Sequence, residues 1–210
     1  MNFLILYGTT EGQTRKISQF AGDRIKLCGH TVTVVDSTSD HTRNLKLREF
    51  DGIIVAASLH AGMYQAAVED FVRAHHDTLN GICTAFYSVS LGAASKDPAD
   101  LSGVNKCVER FVTATSWRPG AIHHIVGAFR YTQYDFFKRW AMKAIAYEKG
   151  ARTDSSHDLE LTDWIQVASL TEAFVAAVVK LRRFTADAEI AASRPEAASP
   201  RKETQQGNVS

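Results

Sequence analysis

Short apolar runs alternate with helical apolar patterns along most of the chain. Residues 3–7 are five apolar residues without a break, and residues 31–35 are β-branched throughout. Residues 53–57 and 83–89 are two further runs, and residues 122–129 make a fifth. All five predict strands, and the unbroken runs at residues 3–7 and 53–57 predict burial. Between them, apolar positions recur at helical spacing. Ile17, Phe20, Ala21, Ile25 and Leu27 mark a helix over residues 15–27 that Gly29 ends. Further helices are predicted over residues 68–75 and 104–114. A long last helix over residues 163–183 starts from Asp163 as N-cap, with Gln166 three residues on. Residues 36–44 are polar and read as loop. Strands alternating with helices at ~30-residue spacing predict an α/β fold, a doubly wound five-stranded parallel sheet in the order 2-1-3-4-5.

Two stretches fall outside that core. Residues 130–161 form an insert, expected to be helical, between the last strand and the last helix. Residues 185–210 hold few large apolar side chains and are expected to be a disordered tail on a domain spanning 1–184.

Composition narrows the function classes. The chain has 210 residues, enough for one filled α/β domain, and 45% hydrophobic residues. A net charge of +1 lacks the basic field that nucleic-acid binding needs. The three cysteines, Cys28, Cys83 and Cys107, form no CxxC motif, which points to a reduced setting without a metal cluster. His75-His76 and His123-His124 are adjacent pairs whose side chains diverge, so no metal site is expected. No run reaches the ~18 apolar residues of a membrane span, and no signal-peptide pattern opens the chain.

The first candidate site follows strand one. Gly8 stops the apolar run, and Thr9, Thr10, Glu11, Gly12, Gln13 and Thr14 lead into the first helix. A tight Gly/Thr turn at a helix N-terminus presents free N–H groups and hydroxyls to an anion. It lacks the lysine of a nucleoside-triphosphate loop and the GxGxxG of a dinucleotide fold, which suits a singly phosphorylated cofactor. The loop resembles the flavodoxin phosphate loop, T-x-T-G-x-T, which holds the phosphate of FMN. Glu11 stands where flavodoxins usually carry a hydroxyl, so its side chain is expected to point outward.

Three other loops converge on the same sheet end: Ser58, Leu59, His60, Ala61, Gly62 and Tyr64; then Ser88, Val89, Ser90, Leu91 and Gly92; then Gly127, Ala128, Arg130 and Tyr131. Their small residues allow backbone to approach a flat isoalloxazine ring, and Tyr64 is a candidate to stack on it. With Ser116-Trp-Arg-Pro119 and Thr162-Asp-Trp164, these loops resemble, in order and spacing, the menaquinone-dependent protoporphyrinogen oxidase family. The similarity covers about residues 3–180, and that family's loop commonly carries an acid before the glycine, as Glu11 does here. The resemblance implies FMN as cofactor, oxidation of protoporphyrinogen IX to protoporphyrin IX in haem synthesis, and menaquinone or ubiquinone as acceptor.

The insert sharpens the expectation. Residues 131–147 carry Phe136, Phe137, Trp140 and Tyr147 at helical spacing beside Lys138, Arg139 and Lys143. Such a helix suits a membrane interface or a hydrophobic substrate edged with carboxylates. Arg130, Lys138 and Arg139 are the candidate propionate partners. His60 is the candidate proton acceptor. The chain is expected in the cytoplasm, peripheral on the inner face of the membrane. The rival readings are an NAD(P)H:quinone reductase and a non-catalytic FMN electron carrier. Near-neutral charge and the aromatic insert count against the carrier.

Overall fold

The computed structural model describes residues 1–95, 97–129 and 159–192. A five-stranded parallel sheet runs in the order β2-β1-β3-β4-β5. Its strands are β1 (Asn2–Gly8), β2 (Thr31–Asp36), β3 (Gly52–Ser58), β4 (Cys83–Ser90) and β5 (Ala121–Val126). The central strands are buried on both sides, with Phe3, Leu4, Ile5, Leu6, Ile53, Ile54 and Val55 all at 0% exposure. That is why they read as continuous apolar runs.

Alternate residues of each strand feed two cores. Phe3, Ile5, Ile54, Tyr87 and Ile125 face α1 (Gln13–Leu27) and α4 (Trp164–Ala192). Leu4, Leu6, Val55 and Phe86 face α2 (Ala66–Asn80) and α3 (Pro98–Thr115). Each buried large side chain contributes roughly 1.5–3 kcal/mol relative to exposure. In the first core, Tyr87 hydrogen-bonds Thr171 across 3.1 Å, and burial pushes its phenol up to about 12.

α4 is long and apolar enough over Trp164–Ala188 to cross a membrane by length and composition. Its Val167, Phe174, Val175 and Val178 are nevertheless buried against the sheet and α1. Asp163 caps it, accepting from the Gln166 N–H at 2.9 Å, as expected. The helix then continues to Ala192, through Thr185 and beyond, into the stretch expected to be tail.

Three boundaries differ from expectation for local reasons. α3 begins at Pro98 rather than 104, because Asp97 caps it through the Ala99 N–H at 2.9 Å and Pro98 fits a first helical turn. Residues 36–44 are not all loop: Ser39 caps a 3-10 turn over Asp40–Asn44. The fifth strand stops at Val126, not 129. Beyond Gly127, β6 (Ala128–Phe129) leaves the sheet and pairs antiparallel with β7 (Leu159–Glu160). Phe129 and Leu159 are thereby paired across the two short strands.

β5 is the sheet edge and carries His123 and His124 half-buried. Burial lowers the pKa of both imidazoles, and the neighbouring His124 lowers that of His123 further. A folded-state pKa below the unfolded one means that unfolding takes up protons. Stability is therefore kept above the ordinary imidazole pKa of about 6.5 and lost as pH falls through it. The urea midpoint is expected to drop between about pH 7.5 and 5.5, and the double variant His123→Gln/His124→Gln to flatten that drop.

Candidate functional site

The loops that meet at the carboxyl ends of β1, β3, β4 and β5 form one cluster. Its base is the turn from β1 into α1. Gly8 is tightly approached: a Cβ there would lie 2.4 Å from Val68 Cγ2 and 2.9 Å from Gln65 Oε1. Gly12 takes φ 90°, a left-handed conformation that favours glycine, and stands as the N-cap of α1. Among the described residues no side chain caps the helix, so its first N–H groups stay open.

Hydroxyls surround that opening. Thr9 Oγ1 accepts the Gly12 N–H at 2.9 Å, which leaves its own proton to donate. Thr10 Oγ1 accepts from Gln65 Nε2 at 3.0 Å and likewise keeps its proton. Thr14 is 1% exposed, and its Oγ1 has no partner among the described residues. An orphaned buried hydroxyl beside uncapped helix amides fits an anion, and a phosphate monoester matches the size and chemistry of this donor set. Glu11 is half-buried beside them.

Gln13 is differently used than expected. Its side chain is buried and donates to Thr162 Oγ1 at 2.8 Å and to Glu160 Oε1 at 3.2 Å. Thr162 in turn donates to the Val126 carbonyl at 2.8 Å. The turn, the end of β5 and the chain after β7 are thus linked through two side chains. Only the backbone N–H of Gln13 remains for a ligand.

The second loop leaves β3 at Ser58. Leu59 donates to the Val89 carbonyl at 2.8 Å. His60 and Met63 exchange two backbone hydrogen bonds of 2.9 Å around Ala61 and Gly62, both at positive φ. Arg110 on α3 donates to the Gly62 carbonyl at 2.6 Å and holds that turn from outside. His60 lies half-buried on the turn, and Met63 at its tip is 67% exposed.

Tyr64 does not stack over the site. It is 7% exposed, its ring packs edge-on to Phe86 and Phe111, and its hydroxyl pairs with Ser88 Oγ at 2.8 Å. Burial pushes its phenol far above the usual range, partly offset by the Ser88 bond. A helix-facing position under the loop turns this aromatic into core. Ser88 and Val89 are likewise buried strand residues, at 0% and 2% exposure. Ser90 Oγ accepts from the Ala93 N–H at 3.1 Å and starts a 3-10 turn that includes Gly92, after Leu91. Gly127 is buried and donates to the Ser90 carbonyl at 3.2 Å. Ala128 continues into β6. Arg130, Tyr131, Lys138 and Arg139 lie outside the described residues.

Gln65 was not foreseen. Its Nε2 reaches Thr10 Oγ1, the Ser58 carbonyl and Ser58 Oγ, joining the first two loops. A polar residue at the boundary of loop and helix, directly after a buried tyrosine, was the available signal.

An open parallel sheet with an uncapped, hydroxyl-lined helix start at the carboxyl end of its first strand defines a flavodoxin-like phosphate-binding domain. A family model described as "Flavodoxin domain" matches residues 4–156. The chain belongs to the protoporphyrinogen IX dehydrogenase family of flavodoxin-domain proteins. It is 32% identical over 169 residues to the Escherichia coli (strain K12) protein named protoporphyrinogen IX dehydrogenase [quinone], covering 80% of this chain and 92% of that one. A Leishmania major protein of the same name is 30% identical over 177 residues, covering 82% and 74%. Among solved structures, a Streptococcus pneumonia TIGR4 flavodoxin superposes with a TM-score of 0.51 at 15% identity, covering 84% of this chain and 99% of that chain.

The Gln13–Thr162–Val126 chain generates a stability prediction. Thr162→Val keeps the shape but takes one of two acceptors from the buried Gln13 amide and the hydroxyl donor from the Val126 carbonyl, at a cost of about 1–3 kcal/mol. Urea denaturation should register that loss, and Thr162→Ser should recover most of it.

Proposed function

We propose that this protein is an FMN-dependent dehydrogenase that oxidises protoporphyrinogen IX to protoporphyrin IX and passes the electrons to a respiratory quinone. The observation that carries the reading is the orphaned Thr14 hydroxyl beside the uncapped start of α1. Family membership supports it, since relatives matched along most of their length carry this dehydrogenase's name.

In this reading the FMN phosphate is held by the hydroxyls of Thr9, Thr10 and Thr14 and by the backbone amides at Gly12 and Gln13. Bound FMN supplies a two-electron carrier between substrate and quinone. The protein's own task is mostly positioning. The Ser58–Tyr64 loop, with its tight turn fixed by Arg110, forms one wall for the flat ring. The Ser90–Gly92 turn and Gly127 form the other. Buried Tyr64 supports the first wall from below.

Oxidising a porphyrinogen also releases protons from its pyrrole nitrogens and methylene bridges. His60, on the turn at the mouth of the site, is the proposed acceptor. Arg130, Lys138 and Arg139 are the proposed partners of the substrate propionates, with arginine favoured by its bidentate geometry. A lipid-soluble acceptor supports the reading of a protein that works in the cytoplasm at the inner face of the membrane.

The test is anaerobic mixing of the FMN-loaded protein with protoporphyrinogen IX, followed at the flavin absorbance. Prompt bleaching, reversed by a menaquinone analogue, is the expected result. No bleaching by porphyrinogen, with bleaching by NADPH, contradicts it and indicates a nicotinamide-fed quinone reductase. Bleaching by neither, with a stable one-electron form, indicates a carrier. His60→Gln should lower the porphyrinogen-driven rate by about 10²-fold or more if His60 takes the proton, with FMN affinity unchanged.

A further inference from the structure

The end of α4 presents an apolar seam to solvent. The helix starts at the carboxyl ends of the strands, where Trp164 packs on Phe20. It finishes at the opposite pole, where Arg182 pairs with Asp51 at 2.7 Å just before β3. Past Val178, which is 1% exposed, the described residues from Lys180 to Ala188 are all exposed.

Among them Leu181 is 50% exposed and Phe184 is 73% exposed. With Ala177 and Ala188, also exposed, they fall at spacings of four, three and four, one face of a helix at coiled-coil periodicity. Two large apolar side chains in water on a projecting helix are a covered face without its cover.

We propose that a second copy of this chain covers that face, with the two α4 ends paired antiparallel about a two-fold axis. Charge and register choose this occupant. When Leu181 is set against the second copy's Phe184, symmetry sets Phe184 against the second copy's Leu181. The outer layers then join Ala177 to the second copy's Ala188, small enough for close approach. In the same register Lys180 falls beside the second copy's Asp187, and Asp187 beside the second copy's Lys180. Neither Lys180 nor Asp187 has an ion-pair partner among the described residues of its own chain. A parallel pairing would set Lys180 beside the second copy's Thr185 and make neither charge pair.

The contact lies at the pole away from Thr14 and His60. Both sites of the pair remain open to substrate. The apolar area is small, so the association is weak and reversible, with a dissociation constant of about 1–100 μM.

Sedimentation equilibrium of the full chain loaded with FMN tests this. The wild type should show a monomer–dimer equilibrium in that range. Phe184→Ser should be monomeric with an unchanged thermal midpoint, because Phe184 is on the surface. Lys180→Glu and Asp187→Lys should each weaken the dimer about tenfold, since each places two like-charge pairs in the seam. The double variant Lys180→Glu/Asp187→Lys should return to within about threefold of wild type, and an equimolar mixture of the two single variants should form heterodimers. A wild type that stays monomeric at about 100 μM overturns the proposal. So does a double variant as weak as either single one. A monomer that instead binds anionic phosphatidylglycerol vesicles through Phe184 also overturns it, and makes the seam a lipid contact.

Discussion

A parallel sheet buried on both faces forces each helix to return antiparallel to the strands, so every helix begins where the strands end. At α1 that constraint becomes chemistry. Among the described residues the helix has no side-chain cap, starts at a glycine in a left-handed conformation and leaves a buried hydroxyl unpaired beside it. Folding normally satisfies such groups internally, because an orphaned buried polar atom costs about 1–3 kcal/mol. Three open features at one point form a deficit that a phosphate would fill, and the surrounding loops are built around that point.

Side chains tie those loops to one another as well as to the helices behind them. Gln65 joins the β1 and β3 loops, and Gln13 and Thr162 join the first turn to the end of β5. β6 pairs with β7 beyond the end of β5. Thr162, two residues past β7, is thus linked through Gln13 to the same turn that presents Thr14.

The sheet was legible in the sequence because double burial leaves uninterrupted apolar runs, as at residues 3–7 and 53–57. The phosphate turn was legible because glycine and threonine spacing states its backbone geometry directly. The errors arose where tertiary packing decides. Tyr64 sits in a loop by sequence, yet Phe86, Phe111 and Ser88 draw it into the core. Residues 122–129 look like one strand, but past Val126 the chain leaves the sheet and takes an antiparallel partner far along the sequence. Gln13 and Gln65 gave no periodic signal, since their partners come from distant loops. The exposure of Leu181 and Phe184 has no sequence signal, because helical periodicity does not reveal where a helix outruns its domain.

In the proposed reading the turn at Thr14 is a phosphate cradle that holds a flavin mononucleotide. Parallel fluorescence titrations of the apoprotein with FMN and with riboflavin, which differ only in the phosphate, probe that cradle alone. FMN is expected to bind at least about 100-fold tighter than riboflavin, and Thr14→Val to weaken FMN by about tenfold while leaving riboflavin unchanged. Equal affinity for the two flavins, or no loss of FMN binding in Thr14→Val, would contradict it.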